Sequence, residues 1–477
     1  MNSQIVKLFG LIVVLFALLV IWTTRWTVID ASALDANPLN SRTLIAQLKI
    51  KRGRILADNG AVLARSVAEK GGLWGRTYPT GSLFAQTVGY STGEAGNDAG
   101  LEVSRARELR GIQTGLSSVF GPFGGTQQVG DDVETTLDPV AQKVAQQELA
   151  GRPGSVVALN PQTGAIYVMY SNPSYDDDRP PSACVAPSCS LVNRAINARY
   201  PPGSTFKIVT AAAALDTGTY TPNSTVNGKS PILVSGTPLS NDNNEPFGPI
   251  TLTTALTYSV NTVWAQVAER VGRATMTRYM ERFGFYSVPP IDLPADEASV
   301  SRVFDFRGNP FSPGSPDEDI GRIGIGQGGL GVTPLQMAMV ASAVADHGTL
   351  MTPHLTDKVV NQDGVTVERI SPTVYRDVMK PAVASEIAQM MKTVVDEGTG
   401  TPAQLGNNIP FAGKTGTASV GLAGLDQTQP WFIGFAPIAG PKVAIAVTVE
   451  RTTGGYGGTV AAPIAKAVVQ TLLSEGK

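Results

Sequence analysis

From Leu8 to Thr24 the chain reads LFGLIVVLFALLVIWTT, an apolar run bounded by Lys7 and Arg25 with no charge between them. That length is near the lower limit of the about 17 to 25 residues that cross a bilayer as a helix. As part of a soluble core it would fare badly, because an extreme N-terminus that is apolar all round has no surrounding layer to pack into. We read residues 1–27 as a cytoplasmic tip and a single retained transmembrane anchor, with the rest of the chain outside the cell membrane. The rival is a cleaved leader, since Ala31-Ser32-Ala33 resembles a small-residue cleavage site. Lys7 and Arg25 nearly balance, so flanking charge does not set the orientation by itself. Either route leads to export.

The 477 residues exceed what one hydrophobic core usually organises, so two soluble units are expected beyond the anchor. A net charge of -2 and the lack of any Lys/Arg-rich block exclude nucleic acid as a partner. Cys184 and Cys189 are the only cysteines and stand in the loop-like segment PPSACVAPSCS. In an oxidising compartment a disulfide between them is expected, with two unpaired thiols as the alternative. No metal is expected, because the only histidines, His347 and His354, lie far off in sequence and no second cysteine pair exists.

Residues 28–150 read as a smaller N-terminal module. There Lys51 to Ser66 carries a short strand pattern on each side of Asn59-Gly60, a hairpin signal, while Gly115 to Gly130 is a glycine-rich connection. Asp138-Pro139 then opens a helix with a capping Asp and a proline at its first position. Residues 151–477 form the second unit. Two strands, Ser155 to Leu159 and Ala165 to Tyr170, are joined by the turn Asn160 to Gly164; strands at Trp431 to Ala436 and Val443 to Glu450 and a helix from Val460 to Leu473 close the chain. Strands at both ends of a helix-rich middle point to one sheet built from distant segments, an α+β fold.

Three short motifs carry the chemistry. In Pro202-Gly203-Ser204-Thr205-Phe206-Lys207 a serine and a lysine stand three apart, just before the apolar run Ile208 to Leu215. On a helix such residues share a face, and the first turn offers free N–H groups to developing negative charge. Alone this is weak, for the same spacing recurs at Ser474 and Lys477, and a capping serine followed by a surface lysine is the ordinary explanation. The other two motifs are Ser259-Val260-Asn261, the only S-x-N, and Lys414-Thr415-Gly416-Thr417, the only K-T-G. Their ordinary readings are a polar turn and a strand entry. A Ser-His-Asp hydrolase is disfavoured because both histidines fall in one segment and no G-x-S-x-G elbow is present.

Together and in this order the motifs resemble the active site of penicillin-binding proteins and serine β-lactamases. Further matches are Asn193-Arg194 with Tyr200-Pro201, Gly326-Gln327-Gly328 with Val332 to Gln336, and Trp431 to Phe435. From about residue 154 these are similar to the transpeptidase domain of class B penicillin-binding proteins. Upstream, Arg52 to Ile55, Asp58 to Gly60 and Gly100-Leu101-Glu102 are similar to the N-terminal module of that class, with Ala57 where a charged residue often stands. The layout resembles the short division-associated penicillin-binding protein A type.

The resemblance implies a penicillin-binding transpeptidase fold, an antiparallel sheet flanked by helices, and a D,D-transpeptidase of cell division or septal wall synthesis. Some D,D-carboxypeptidase activity is compatible with it. Ser204 is then the nucleophile toward peptidoglycan stem peptides and β-lactams. Lys207 is the base, Ser259 and Lys414 relay the proton, and Asn261 orients substrate and Lys207. Thr415, Gly416 and Thr417 bind substrate, and the backbone N–H groups of Ser204 and Thr417 form the oxyanion hole. Lys414, expected at the cleft edge, should stay charged. No cofactor is required, and division-complex proteins are the expected partners besides the membrane. A β-lactamase or β-lactam sensor is disfavoured by the anchor and the extra module, and a scaffold without turnover would not need all three motifs.

Overall fold

The computed structural model describes residues 2–30, 41–92, 97–112, 129–181, 190–420 and 427–477. Helix α1 (Asn2–Thr24) carries the apolar run, and its side chains from Ser3 onward are exposed because none of the described residues of the fold covers them. Cys184, Cys189 and most of the Gly115 to Gly130 connection lie outside the described residues.

The hairpin at Asn59-Gly60 forms as read. Strand β1 (Ile55–Leu56) turns into β2 (Val62–Ala68) with Gly60 at φ +81°, where a side chain would be strained, and Asn59 Oδ1 accepts from Ala61 N at 3.0 Å. Strands β3 (Trp74–Thr77) and β4 (Asp132–Thr135) follow. Asp138 then accepts from Val140 N and Ala141 N, and with Pro139 at the first position it starts α2 (Pro139–Leu149).

Strands β5 (Gly154–Leu159) and β6 (Ile166–Asn172) form the next hairpin, its turn held by Asn160 Oδ1 accepting from Gln162 N and Thr163 N. The helical middle contains α3 (Lys207–Asp216), α4 (Asn261–Val271), α5 (Pro334–Ala345) and, past strands β7 (Thr356–Val360) and β8 (Thr366–Arg369), α6 (Pro381–Asp396). Strands β9 (Ala412–Ser419), β10 (Gln427–Ala436) and β11 (Val443–Val449) and helix α7 (Ala462–Ser474) complete the chain.

One sheet runs β9-β10-β11-β5-β6, antiparallel throughout. Its strands are buried on both faces, which explains runs such as Val156 to Leu159 that are apolar without alternation. Val156, Ala158, Ile445 and Val447 pack with α2 and α7, while Val157, Leu159, Ala444 and Ala446 pack with α5. Helices α3 and α5 are buried along their whole length, so they are apolar all round rather than amphipathic. Strand β10 begins four residues before the sequence signal at Trp431, because the polar Thr428 and Gln429 are satisfied inside: Gln429 Nε2 donates to Thr448 Oγ1 at 2.7 Å and Thr428 Oγ1 to Gly455 O at 2.6 Å.

The second sheet runs β8-β7-β4-β1-β2-β3, so strands from residues 356–369 complete the sheet of the N-terminal module. Arg105 fastens the join, donating to Thr356 Oγ1 at 3.0 Å and pairing with Asp292, whose carboxylate accepts from Leu355 N and Thr356 N. At the C-terminus Lys477 pairs with Asp58, so the Ser474/Lys477 repeat of the serine–lysine spacing is an ordinary helix end.

Candidate active site

Ser204 sits in a single 3₁₀ turn, Gly203–Phe206, that leads straight into α3. Close backbone packing fixes the turn. Gly203 (φ +53°) donates its N–H to Gly326 O at 3.1 Å, and a Cβ on Gly326 would lie 1.9 Å from Gly203 O. The segment before the serine is held from several sides. Trp431 Nε1 donates to Pro201 O at 3.0 Å and Thr205 Oγ1 to Pro202 O at 2.8 Å. Glu450 receives both the Tyr200 hydroxyl and Arg194 Nε, the latter at 2.7 Å. The flanking matches at Arg194, Tyr200, Gly326 and Trp431 thus buttress one turn. Glu450, which joins two of them, gave no signal in the sequence because its partners lie 250 and 256 residues away.

Lys207 begins α3 and is fully buried, as are all ten residues of that helix. Its Nζ donates to Ser259 O and Asn261 Oδ1, both at 2.7 Å, and lies 3.2 Å from Ser259 Oγ. Ser259 adopts φ +60°, uncommon for a residue with a Cβ, and turns its hydroxyl toward both lysines: Lys414 Nζ is 3.0 Å from it. Asn261 opens α4, and its Nδ2 donates to Ser240 O at 3.3 Å, which leaves Oδ1 for Lys207. Among the described residues no carboxylate hydrogen-bonds to either lysine. Burial pushes the Lys207 ammonium well below the ordinary lysine range, and repulsion from Lys414 adds to it against a weaker opposite pull from Asp242.

Lys414 departs from expectation. It is not at the cleft edge but fully buried, donating also to Thr415 O at 3.0 Å, and burial lowers its pKa to about 7, against the pull of Asp242. It is therefore not a permanently charged grip for a substrate carboxylate. A strand-entry lysine looks exposed in sequence, whereas β9 pairs with β10 and its start packs on α6, where Gly413 stands against Val395.

A cleft of about 600 Å³ brings the motifs together, with Ser204, Ser259, Asn261, Thr415, Gly416 and Thr417 on its wall. Gly416 is glycine for space: a Cβ would meet Pro202 O at 2.7 Å. Gly203 stands against the Thr417 backbone, so the main chains of Ser204 and Thr417 flank the same space. Thr415 and Thr399 share a hydrogen bond of 2.5 Å, and Thr417 Oγ1 accepts from Gly457 N at 3.1 Å. Gln327, from the matched segment Gly326-Gln327-Gly328, lines the cleft too, as do Asp242 and Thr399, which were missed in the sequence because nothing there marks them off from other loop residues. His347 and His354 are not among the lining residues, and His354 instead bridges to Ala165 beside the β5–β6 hairpin. No group of acidic, cysteine or histidine residues suited to a metal occurs among the described residues.

The family model described as the penicillin-binding protein transpeptidase domain matches residues 154–470. The chain belongs to the penicillin-binding protein transpeptidases. The penicillin-binding protein A dimerisation domain matches residues 52–133, which hold β1, β2, β3 and the start of β4 of the second sheet. The chain is 33% identical to peptidoglycan D,D-transpeptidase PbpA of Mycolicibacterium smegmatis, covering 100% of both chains. Among solved structures it is similar to penicillin-binding protein A from M. tuberculosis as the penicillin G acyl-enzyme complex, with a TM-score of 0.76 and 30% identity over 89% of this chain and 99% of that one. The imipenem acyl-enzyme complex of that protein gives a TM-score of 0.77 at 29% identity, covering 90% and 100%.

Proposed function

We propose that this chain is a membrane-anchored peptidoglycan D,D-transpeptidase, acylated by β-lactams, that cross-links stem peptides in septal wall synthesis through an ester on Ser204. The observation that carries the reading is a fully buried Lys207 with no directly bonded carboxylate, three residues from a serine on the cleft wall. The Ser204 hydroxyl gives its proton to the Lys207 amine as its oxygen attacks the carbonyl between two D-alanines. The C–N bond then breaks, the leaving nitrogen takes a proton through the Ser259 hydroxyl and its lysine neighbours, and D-alanine departs. An acceptor amine attacks the ester, loses a proton, and returns the hydroxyl to Ser204. The backbone N–H groups of Ser204 and Thr417 are the candidates to stabilise both oxyanions. Thr415 and Thr417 hydroxyls bind the substrate carboxylate, helped by Lys414 in the fraction that carries a proton.

The anchor reading is supported by α1, apolar and unburied by any of the described residues, and the septal role is taken from the resemblance to the division-associated penicillin-binding protein A type. The test of the chemistry is a stem-peptide thioester offered with a D-amino acid. Exchange through Ser204 supports transpeptidation, and hydrolysis alone would leave a carboxypeptidase. A fluorescent fusion of the full chain that stays dispersed around the envelope would refute the septal assignment.

A further inference from the structure

A second groove, of about 710 Å³, opens beside the catalytic cleft and includes Arg199, Phe304, Gln327, Gly328, Gly329 and Ser419 on its wall. Gln327 and Ser419 line the catalytic cleft as well, so the two spaces meet across that pair. Ser419 ends β9, the strand that carries Lys414 to Thr417 and stands outermost in its sheet. An extended peptide attached at Ser204 and following that strand outward therefore runs into the groove, as peptides do when they dock along a free strand edge. Glycine keeps the floor low: at Gly329 (φ +81°) a Cβ would fall 2.0 Å from Phe304 O.

Among the described residues the groove has one formal charge on its wall, Arg199, and no acidic residue. The Arg199 side chain is exposed, and its guanidinium lies over the Phe304 ring, 4.5 Å from the centroid. None of the ion pairs among the described residues involves it. Stacking on the ring leaves the N–H fork at the guanidinium edge open, the geometry that receives a planar carboxylate with two parallel hydrogen bonds.

We propose that this groove is a subsite for the part of the donor stem peptide upstream of the acyl carbon, and that Arg199 sets specificity there by binding a carboxylate of that peptide. The inference rests on the transpeptidase reading and names which donors it prefers. It is tested with two thioester donors of identical sequence, one with a free carboxylate upstream of the acyl residue and one with a carboxamide, turned over by the full-length protein. Wild type should favour the acid about tenfold in kcat/KM, mainly through KM, the scale of one charge-assisted hydrogen-bonded contact. Arg199→Ala should erase the preference, Arg199→Lys recover part of it, and Arg199→Glu invert it, with melting temperatures checked to confirm folding. A wild type that takes up penicillin but treats both donors alike, or a preference that follows the acceptor amine instead of the donor, overturns the subsite alone. A wild type that takes up no penicillin overturns the transpeptidase reading and this one with it.

Discussion

Glu102 in the N-terminal module and Lys207 behind the serine are both completely buried, yet their surroundings differ in sign. Around Glu102, Arg52 donates at 2.5 Å and Arg76 at 2.6 Å. Burial alone pushes its carboxyl up, but Arg76 and then Arg52 outweigh that, and its pKa falls below the ordinary value. Lys207 faces only neutral oxygens at hydrogen-bond range, with a second lysine beyond Ser259, and its ammonium is destabilised. A buried charge with its counter-charges ties strands together. A buried lysine without them favours its neutral amine, which is a base ready to take a proton.

The largest effect expected is at the nucleophile. Ser204→Ala should abolish labelling by a fluorescent penicillin while changing stability by no more than about 1 kcal/mol, because the side chain is small and only half-buried. A folded Ala variant that still labels would move the nucleophile elsewhere.

Making Lys207 resemble Glu102 is the next test. Asn261→Asp sets a carboxylate 2.7 Å from the amine, and that opposite charge should raise the Lys207 pKa back toward the ordinary lysine range. Wild-type acylation should climb through an apparent pKa well below the ordinary lysine value, one that belongs to the coupled lysine pair. In the variant that limb moves to higher pH, and the rate at neutral pH drops about tenfold or more. A limb that does not move would break the account of Lys207 as the base.

Removing the compensation from the other region should act on stability. Glu102→Gln leaves Arg76 without its anion and Arg52 with only the more distant Asp98 at 4.0 Å, and is expected to lose about 3 kcal/mol in urea unfolding, with the folded fraction still labelled by penicillin. The Glu102 pKa is lowered on folding, so its contribution is fully present above the unfolded value and disappears as pH falls through the folded one. The wild-type minus variant difference should shrink on acidification accordingly.

The smallest effect runs the other way. Lys414 has a folded pKa of about 7 against 10.5 unfolded, so the unfolded chain binds more protons between those values and stability rises with pH across that window. Lys414→Met removes the penalty and should stabilise by about 1 to 4 kcal/mol below pH 7, a gain that fades toward pH 10.5. Calorimetry at two pH values checks both sign and window. An equal gain at both would mean that packing, not charge, is responsible.

Much of this was legible before the fold. The order of Ser204-x-x-Lys207, Ser259-x-Asn261 and Lys414-Thr415-Gly416 located the cleft wall, and the all-apolar stretch after Lys207 predicted a buried helix. The β5–β6 hairpin, β11 and α7 fall within about two residues of their signals, because Asn, Gly and Pro turns and runs of β-branched residues act over a few residues. The protonation of Lys414 was misjudged for the complementary reason. Desolvation depends on what covers a side chain, and its cover comes from other parts of the chain.

What the sequence by itself determined is therefore local or chemical: an apolar segment able to cross a bilayer, the strand and helix periods, the Asp138 cap, and the side chains available for acyl transfer. Only the tertiary structure decided that β7 and β8 complete the sheet of the N-terminal module, that Glu450 holds Tyr200 and Arg194 at the base of the nucleophile turn, and that Arg199 looks into a groove shared with the cleft. The physical reason is range. Turn and helix preferences are set by neighbours in the chain, whereas burial, ion pairing and a lysine's pKa are set by neighbours in space, and those exist only once the core has closed.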